Sequence, residues 1–129
     1  MTPSLFPAIV GICIGASLGA LARWSLALWL GVAGFMPWGT LAANLIGGYL
    51  IGVALAGFQL VPDIAPAWRL LVVTGFLGGL TTFSSFSAEV MTMLLEGRLG
   101  SALITAGAHL GGSLVLTWLG IRTVQAVAG

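Results

Sequence analysis

Gly75-Phe76-Leu77-Gly78-Gly79-Leu80-Thr81-Thr82-Phe83-Ser84-Ser85-Phe86-Ser87 decides how the rest of this chain is read. The stretch sits inside a long apolar segment, yet it holds three glycines followed by five hydroxyl residues. Glycine, serine and threonine are weak helix formers. The segment is therefore expected as two half-helices, one ending near Gly78 and the next beginning around Thr82 to Ser85. At membrane depth such a gap leaves carbonyls and amides without helical partners, and it is tolerated only inside protein or beside a cavity. Bared carbonyls suit a small cation, and half-helix N-termini suit an anion. A simple packing kink is the alternative.

The surrounding chain supports a membrane setting. Of 129 residues, 59% are hydrophobic and 5% charged, too few charges to cover a soluble surface. Four apolar runs stand out, from about Pro7 to Leu30, Thr40 to Leu60, Trp68 to Leu95 and Gly100 to Val124. Each meets the length of about 20 residues that a spanning helix needs. The expectation is an all-α membrane protein with four transmembrane helices, the third broken mid-membrane, forming a single domain over residues 1–129. Trp29, Trp38, Trp68 and Trp118 fall near span ends, where indoles favour the headgroup region. Ala20-Leu21-Ala22 resembles a signal-peptide cleavage site, but no basic residue precedes the run and the run is too long, so an uncleaved span is expected.

Charge and cysteine usage narrow the function classes. There is no lysine and the net charge is +1, so no basic stripe exists to bind nucleic acid. One cysteine, Cys13, and one histidine, His109, supply no zinc or iron–sulfur ligand set. No pairing of nucleophile and base points to an enzyme. Four spans put Arg69 and Arg122 on one side of the membrane and Arg23 and Arg98 on the other. That tie gives no orientation by the positive-inside rule, which leaves an antiparallel homodimer and a chance balance equally open.

Small and polar residues run in rows four apart. Gly11, Gly15 and Gly19 make a smooth stripe for close helix packing. Asn44 leads the row Asn44, Gly48, Gly52. An amide so deep in an apolar span needs an interhelical partner or a water-filled path. Thr105, His109, Ser113 and Thr117 form a polar stripe along the last span, expected as a solvated or ion-lined face.

Gly39-Thr40-Leu41-Ala42-Ala43-Asn44-Leu45-Ile46-Gly47-Gly48, the stretch from Gly75 to Ser87 with Ala88-Glu89, and Gly15-Ala16-Ser17-Leu18-Gly19-Ala20-Leu21-Ala22-Arg23-Trp24 resemble signature segments of the Fluc (CrcB) fluoride channels. The resemblance covers essentially the whole chain. It implies a fluoride-selective channel in the cell inner membrane that exports fluoride passively and confers resistance. It further implies an antiparallel, dual-topology homodimer with two fluoride pathways. A structural sodium ion (Na+) would sit at the dimer interface, held by the backbone carbonyls of Gly78 and Thr81. Phe83 and Phe86 match the pore phenylalanines, Asn44 the pore asparagine, and Ser113 and Thr117 the hydroxyl track. Thr105 and His109 depart from the family's usual residues, and Ser84-Ser85 replaces the commoner Ser-Thr.

These residue types suit a small, strongly hydrated anion. Asn44, Thr82, Ser113 and Thr117 carry N–H or O–H donors, and His109 adds an imidazole on the same path. An anion passing Phe83 and Phe86 should meet the positive ring edges. Neither donor type binds tightly alone, which permits exit as well as entry. Arg23 either draws anions into a vestibule or snorkels to the interface. Glu89 is expected to play a structural part, since a bare carboxylate repels an anion. The rivals are a small dual-topology multidrug or cation exporter, which wants an acid deep in the first span, and a non-transporting membrane scaffold. In a fluoride-sensitive host, expression of this chain should restore growth on fluoride and leave dye resistance unchanged; the reverse pattern favours the exporter.

Overall fold

The computed structural model describes residues 4–129, apart from the side chain of Val32. Helix α1 (Leu5–Leu30) carries Pro7 in its first turn, where the missing N–H costs nothing. It stops at Gly31, whose φ of 59° is a backbone state that favours glycine. A two-residue ladder follows: β1 (Val32–Ala33) pairs antiparallel with β2 (Met36–Pro37). The all-α expectation did not include this hairpin. Its turn rests on Gly34 at φ 67°, and Trp38 Nε1 donates to the Ala33 carbonyl at 2.7 Å.

Helix α2 (Trp38–Gln59) begins after Pro37 and ends three residues short of Pro62. Pro66 then opens the third span at the first helical position, where proline is favoured. This span, Pro66–Leu95, has four parts. Helix α3 (Pro66–Arg69) leads into a wide, π-helical segment at Leu70–Leu77, then helix α4 (Gly78–Leu80), and finally helix α5 (Phe83–Leu95). Between α4 and α5, Thr81 and Thr82 are extended, with φ/ψ of −91°/156° and −150°/120°. Gly97, at φ 76°, makes the turn into helix α6 (Leu99–Ala128). Four stretches are thus long and apolar enough to cross a membrane, and the chain is a multi-pass membrane protein.

The helical run extends two residues past the expected end at Gly78. The reason lies in what Gly75 and Gly79 touch. A Cβ on Gly75 would come within 2.9 Å of the Ile12 carbonyl, and one on Gly79 would press on that of Ala16. These glycines let the third span lie against α1 and do not stop a helix. In return, Gly15 and Gly19 of α1 leave room for the main chain at Leu71 and Phe76. The second pair, α2 and α6, meets in the same way: Gly48 and Gly52 face Ser113 and Thr117, and Gly120 faces Tyr49. Ala43, Leu77 and Leu80 form the buried core where the pairs join, next to the extended residues.

Large apolar side chains such as Leu18, Trp24, Leu103 and Leu114 point outward, as a surface turned to lipid or a partner helix allows. Close glycine contacts carry the packing inside. Gly19→Ala should therefore lower the melting temperature in detergent and the monodisperse fraction, since overpacking costs about 1–3 kcal/mol. Gly107→Ala, where an added Cβ meets nothing within 4 Å, should leave both near wild type.

Candidate functional site

A helix that stops inside a membrane protein must satisfy the main-chain groups it releases. Here Asn44 of α2 does so for Thr82. The Thr82 N–H donates to Asn44 Oδ1 at 2.8 Å, and Asn44 Nδ2 donates to the Thr82 carbonyl at 3.0 Å. The amide makes a third bond, with its nitrogen 2.9 Å from His109 Nδ1. Asn44 thus has interhelical partners on the third span and on α6, as its depth in an apolar span calls for. Thr82 also caps α5: its Oγ1 accepts the Ser85 N–H at 3.0 Å.

These bonds have a consequence for two carbonyls upstream. In a continuous helix the Gly78 carbonyl would accept from the Thr82 N–H, and that of Thr81 from the Ser85 N–H. Both donors point elsewhere, to Asn44 and to Thr82 Oγ1. The Gly79 carbonyl is taken by Arg23 Nε at 3.1 Å. Arg23 is therefore anchored to the third span rather than reaching freely toward the interface. Among the described residues no group of three or more His, Cys, Asp or Glu gathers.

The site residues named from the sequence come together. Asn44, Gly78, Thr81, Thr82, Phe83, Phe86, His109, Ser113 and Thr117 all line one open groove of about 470 Å3. Arg23 lies outside it. The groove's other walls include Ile51, Val73, Leu110 and Leu114, which the sequence did not mark, although Leu110 and Leu114 are each one residue past a polar position on α6. Phe83 is 78% exposed and meets Phe86 edge-on, with centroids 5.5 Å apart at 76°. Phe86 stacks on His109 at 4.4 Å and 27°.

The polar stripe on α6 divides into two halves. Thr105 and His109 are 0% and 3% exposed, so the expected solvated face does not extend to them. Thr105 Oγ1 reaches the Met93 sulfur at 3.4 Å. Lower down, Thr117 Oγ1 lies 2.8 Å from the Gly48 carbonyl and 2.9 Å from that of Ser113. Its one hydrogen is thereby committed to the backbone. The Ser113 hydroxyl has no such bond among the described residues, while the Thr82 hydroxyl accepts from the Ser85 N–H and lies 3.2 Å from the Ser84 hydroxyl, a contact in which either can donate. Glu89 faces a separate groove of about 390 Å3 beside the hairpin, where its Oε2 accepts from Thr40 Oγ1 at 2.6 Å.

Known proteins resemble this chain along nearly its whole length. Residues 10–121 match the family model described as CrcB-like protein, Camphor Resistance (CrcB). A protein of Variovorax paradoxus named fluoride-specific ion channel FluC is 78% identical over 120 residues, 93% of this chain and 96% of its own length. Proteins of the same name from Paracidovorax citrulli and Pseudomonas aeruginosa are 65% and 52% identical, over 89% and 97% of this chain and 91% and 99% of their own lengths. Identity at this level across all four spans leaves one assignment: the chain belongs to the CrcB family.

Proposed function

We propose that this chain is a fluoride-selective channel that lets fluoride leave the cytoplasm passively across the cell inner membrane. The single observation that carries the reading is the groove that gathers Asn44, Thr82, Phe83, Phe86, His109, Ser113 and Thr117 beside the extended residues of the third span. The names of the family relatives support it.

A fluoride ion must exchange its water for donors along the way. The Ser113 hydroxyl is a free donor of the groove, and the Thr82 hydroxyl donates there when Ser84 takes the donor's part in the contact between them. The edges of Phe83 and Phe86 supply weaker, positive contacts. The tilt of 76° between these rings allows one to turn an edge where the other turns a face. Hydroxyls and ring edges together hold the ion loosely, as rapid passage requires. Asn44 keeps the third span open at Thr82 and does not itself bind. Thr117, committed to carbonyls, gives way to an anion only by surrendering a backbone bond.

The finer architecture follows the same reading. The interruption at Thr81 and Thr82 lies at bilayer depth and faces a partner's. Two copies pair antiparallel, in keeping with the two-against-two arginine tally. A sodium ion at the dimer centre fits the Gly78 and Thr81 carbonyls, because both have lost their regular helical donors and neutral oxygens suit a hard monovalent cation. Bound there, it would add fixed positive charge near both paths. Arg23, tied to the Gly79 carbonyl between those two ligands, steadies α4 and adds a positive charge nearby.

Fluoride efflux from proteoliposomes, with chloride as the control, tests the proposal. Wild type should pass fluoride rapidly and chloride not at all. Phe83→Ile, which removes the ring edge, should lower fluoride flux by at least about tenfold, the equivalent of one lost contact of about 1.4 kcal/mol. Comparable chloride leakage through wild type would defeat the reading.

A further inference from the structure

We propose that His109 is a positioning residue: as a neutral imidazole with its proton on Nε2, it receives the Asn44 amide and backs one face of Phe86. The proposal rests on the channel reading for its consequence, but its geometry stands apart from it.

Main-chain chemistry fixes the proton. The Thr82 N–H can only donate and the Thr82 carbonyl can only accept. Asn44 must therefore turn its oxygen to the first and its nitrogen to the second. The nitrogen's remaining hydrogen points at His109 Nδ1, 2.9 Å away. Nδ1 consequently holds a lone pair, and the ring proton sits on Nε2. A proton on Nδ1 would set two donors face to face and pull Asn44 off Thr82. His109 Nε2 is buried and has no hydrogen-bond partner among the described residues, so nothing competes with Asn44 in choosing the tautomer.

The same ring covers Phe86. With centroids 4.4 Å apart and an interplanar angle of 27°, the imidazole occupies one face of the phenyl ring. Phe86 thus touches two rings, stacked on His109 and at 76° to Phe83. The stack restrains the plane of Phe86 and takes one of its two negative faces away from an anion in the groove. One buried side chain on α6 thus holds both the amide that keeps Thr82 out of the helix and the ring that borders the groove. A small hydroxyl residue here could accept from Asn44 but could not back the ring, so His109 is more than one more polar group in the α6 row.

His109 is the only histidine in the chain, so 15N-histidine labelling of the full-length protein in bilayers reports on it alone. The expected spectrum shows a protonated Nε2 and an unprotonated Nδ1, and Asn44→Ala loses that preference. A protonated Nδ1 in wild type overturns the proposal, whether or not the protein conducts fluoride. Flux supplies the second readout. His109→Phe keeps a ring but leaves an Asn44 N–H unpaired, and should lower fluoride flux roughly tenfold. His109→Asn, whose oxygen takes the place of Nδ1, should recover part of that loss. Wild-type flux in His109→Phe, or no recovery in His109→Asn, also overturns it. Absence of fluoride flux in wild type with the expected spectrum would sink the channel reading and leave the assigned tautomer standing.

Discussion

A single side-chain amide takes the N–H of a residue that stands outside the helix as its N-cap. Asn44 accepts the Thr82 N–H, which would otherwise be stranded in an apolar surrounding, and adds a second bond to the Thr82 carbonyl, whose N-cap position already joins it to α5. An unpaired buried amide or carbonyl costs about 1–3 kcal/mol. Without Asn44 the cheapest repair is for Thr82 to return its N–H to the Gly78 carbonyl and close the gap. The extended conformation at Thr81 and Thr82 therefore depends on a residue 38 positions away.

The rest of the site is arranged around that contact. Thr82 caps α5 through its own hydroxyl, which frees the Thr81 carbonyl, as the bond to Asn44 frees that of Gly78. Gly47 leaves room for the Thr81 side chain against α2. Gly48 and Gly52, one and two turns beyond Asn44 on the same face, bring α6 close enough for Thr117 to reach the Gly48 carbonyl. The row that begins with Asn44 thus joins the interruption of the third span to the polar track of the fourth. Asn44, Gly48 and Thr117 thus serve both the packing of α2 on α6 and the lining of the groove.

Much of this was legible in the sequence, because the membrane simplifies the reading. Runs of about 20 apolar residues fix the spans to within a few positions. Glycine rows mark the faces that meet. The glycines around Gly78 misled on one point: they look like the end of a helix but serve close packing against α1, and the helix continues to Leu80. The π-helical segment at Leu70–Leu77 and the hairpin at Val32–Pro37 left no periodic trace. The groove residues were readable through family resemblance and polarity. Their bonding was not, because Asn44 and His109 are 65 residues apart and only the fold shows that one answers the other. Nor was it visible that Thr117 has already committed its hydrogen to backbone carbonyls, while Ser113 has not.

The most direct test of this account is the fluoride flux of Asn44→Ala measured beside its thermal stability in detergent. If the amide holds the third span open, the variant should remain folded while fluoride flux falls by roughly tenfold or more, as the Thr82 N–H goes back to its helical partner. Undiminished, fluoride-selective flux from a well-folded Asn44→Ala protein would contradict the account.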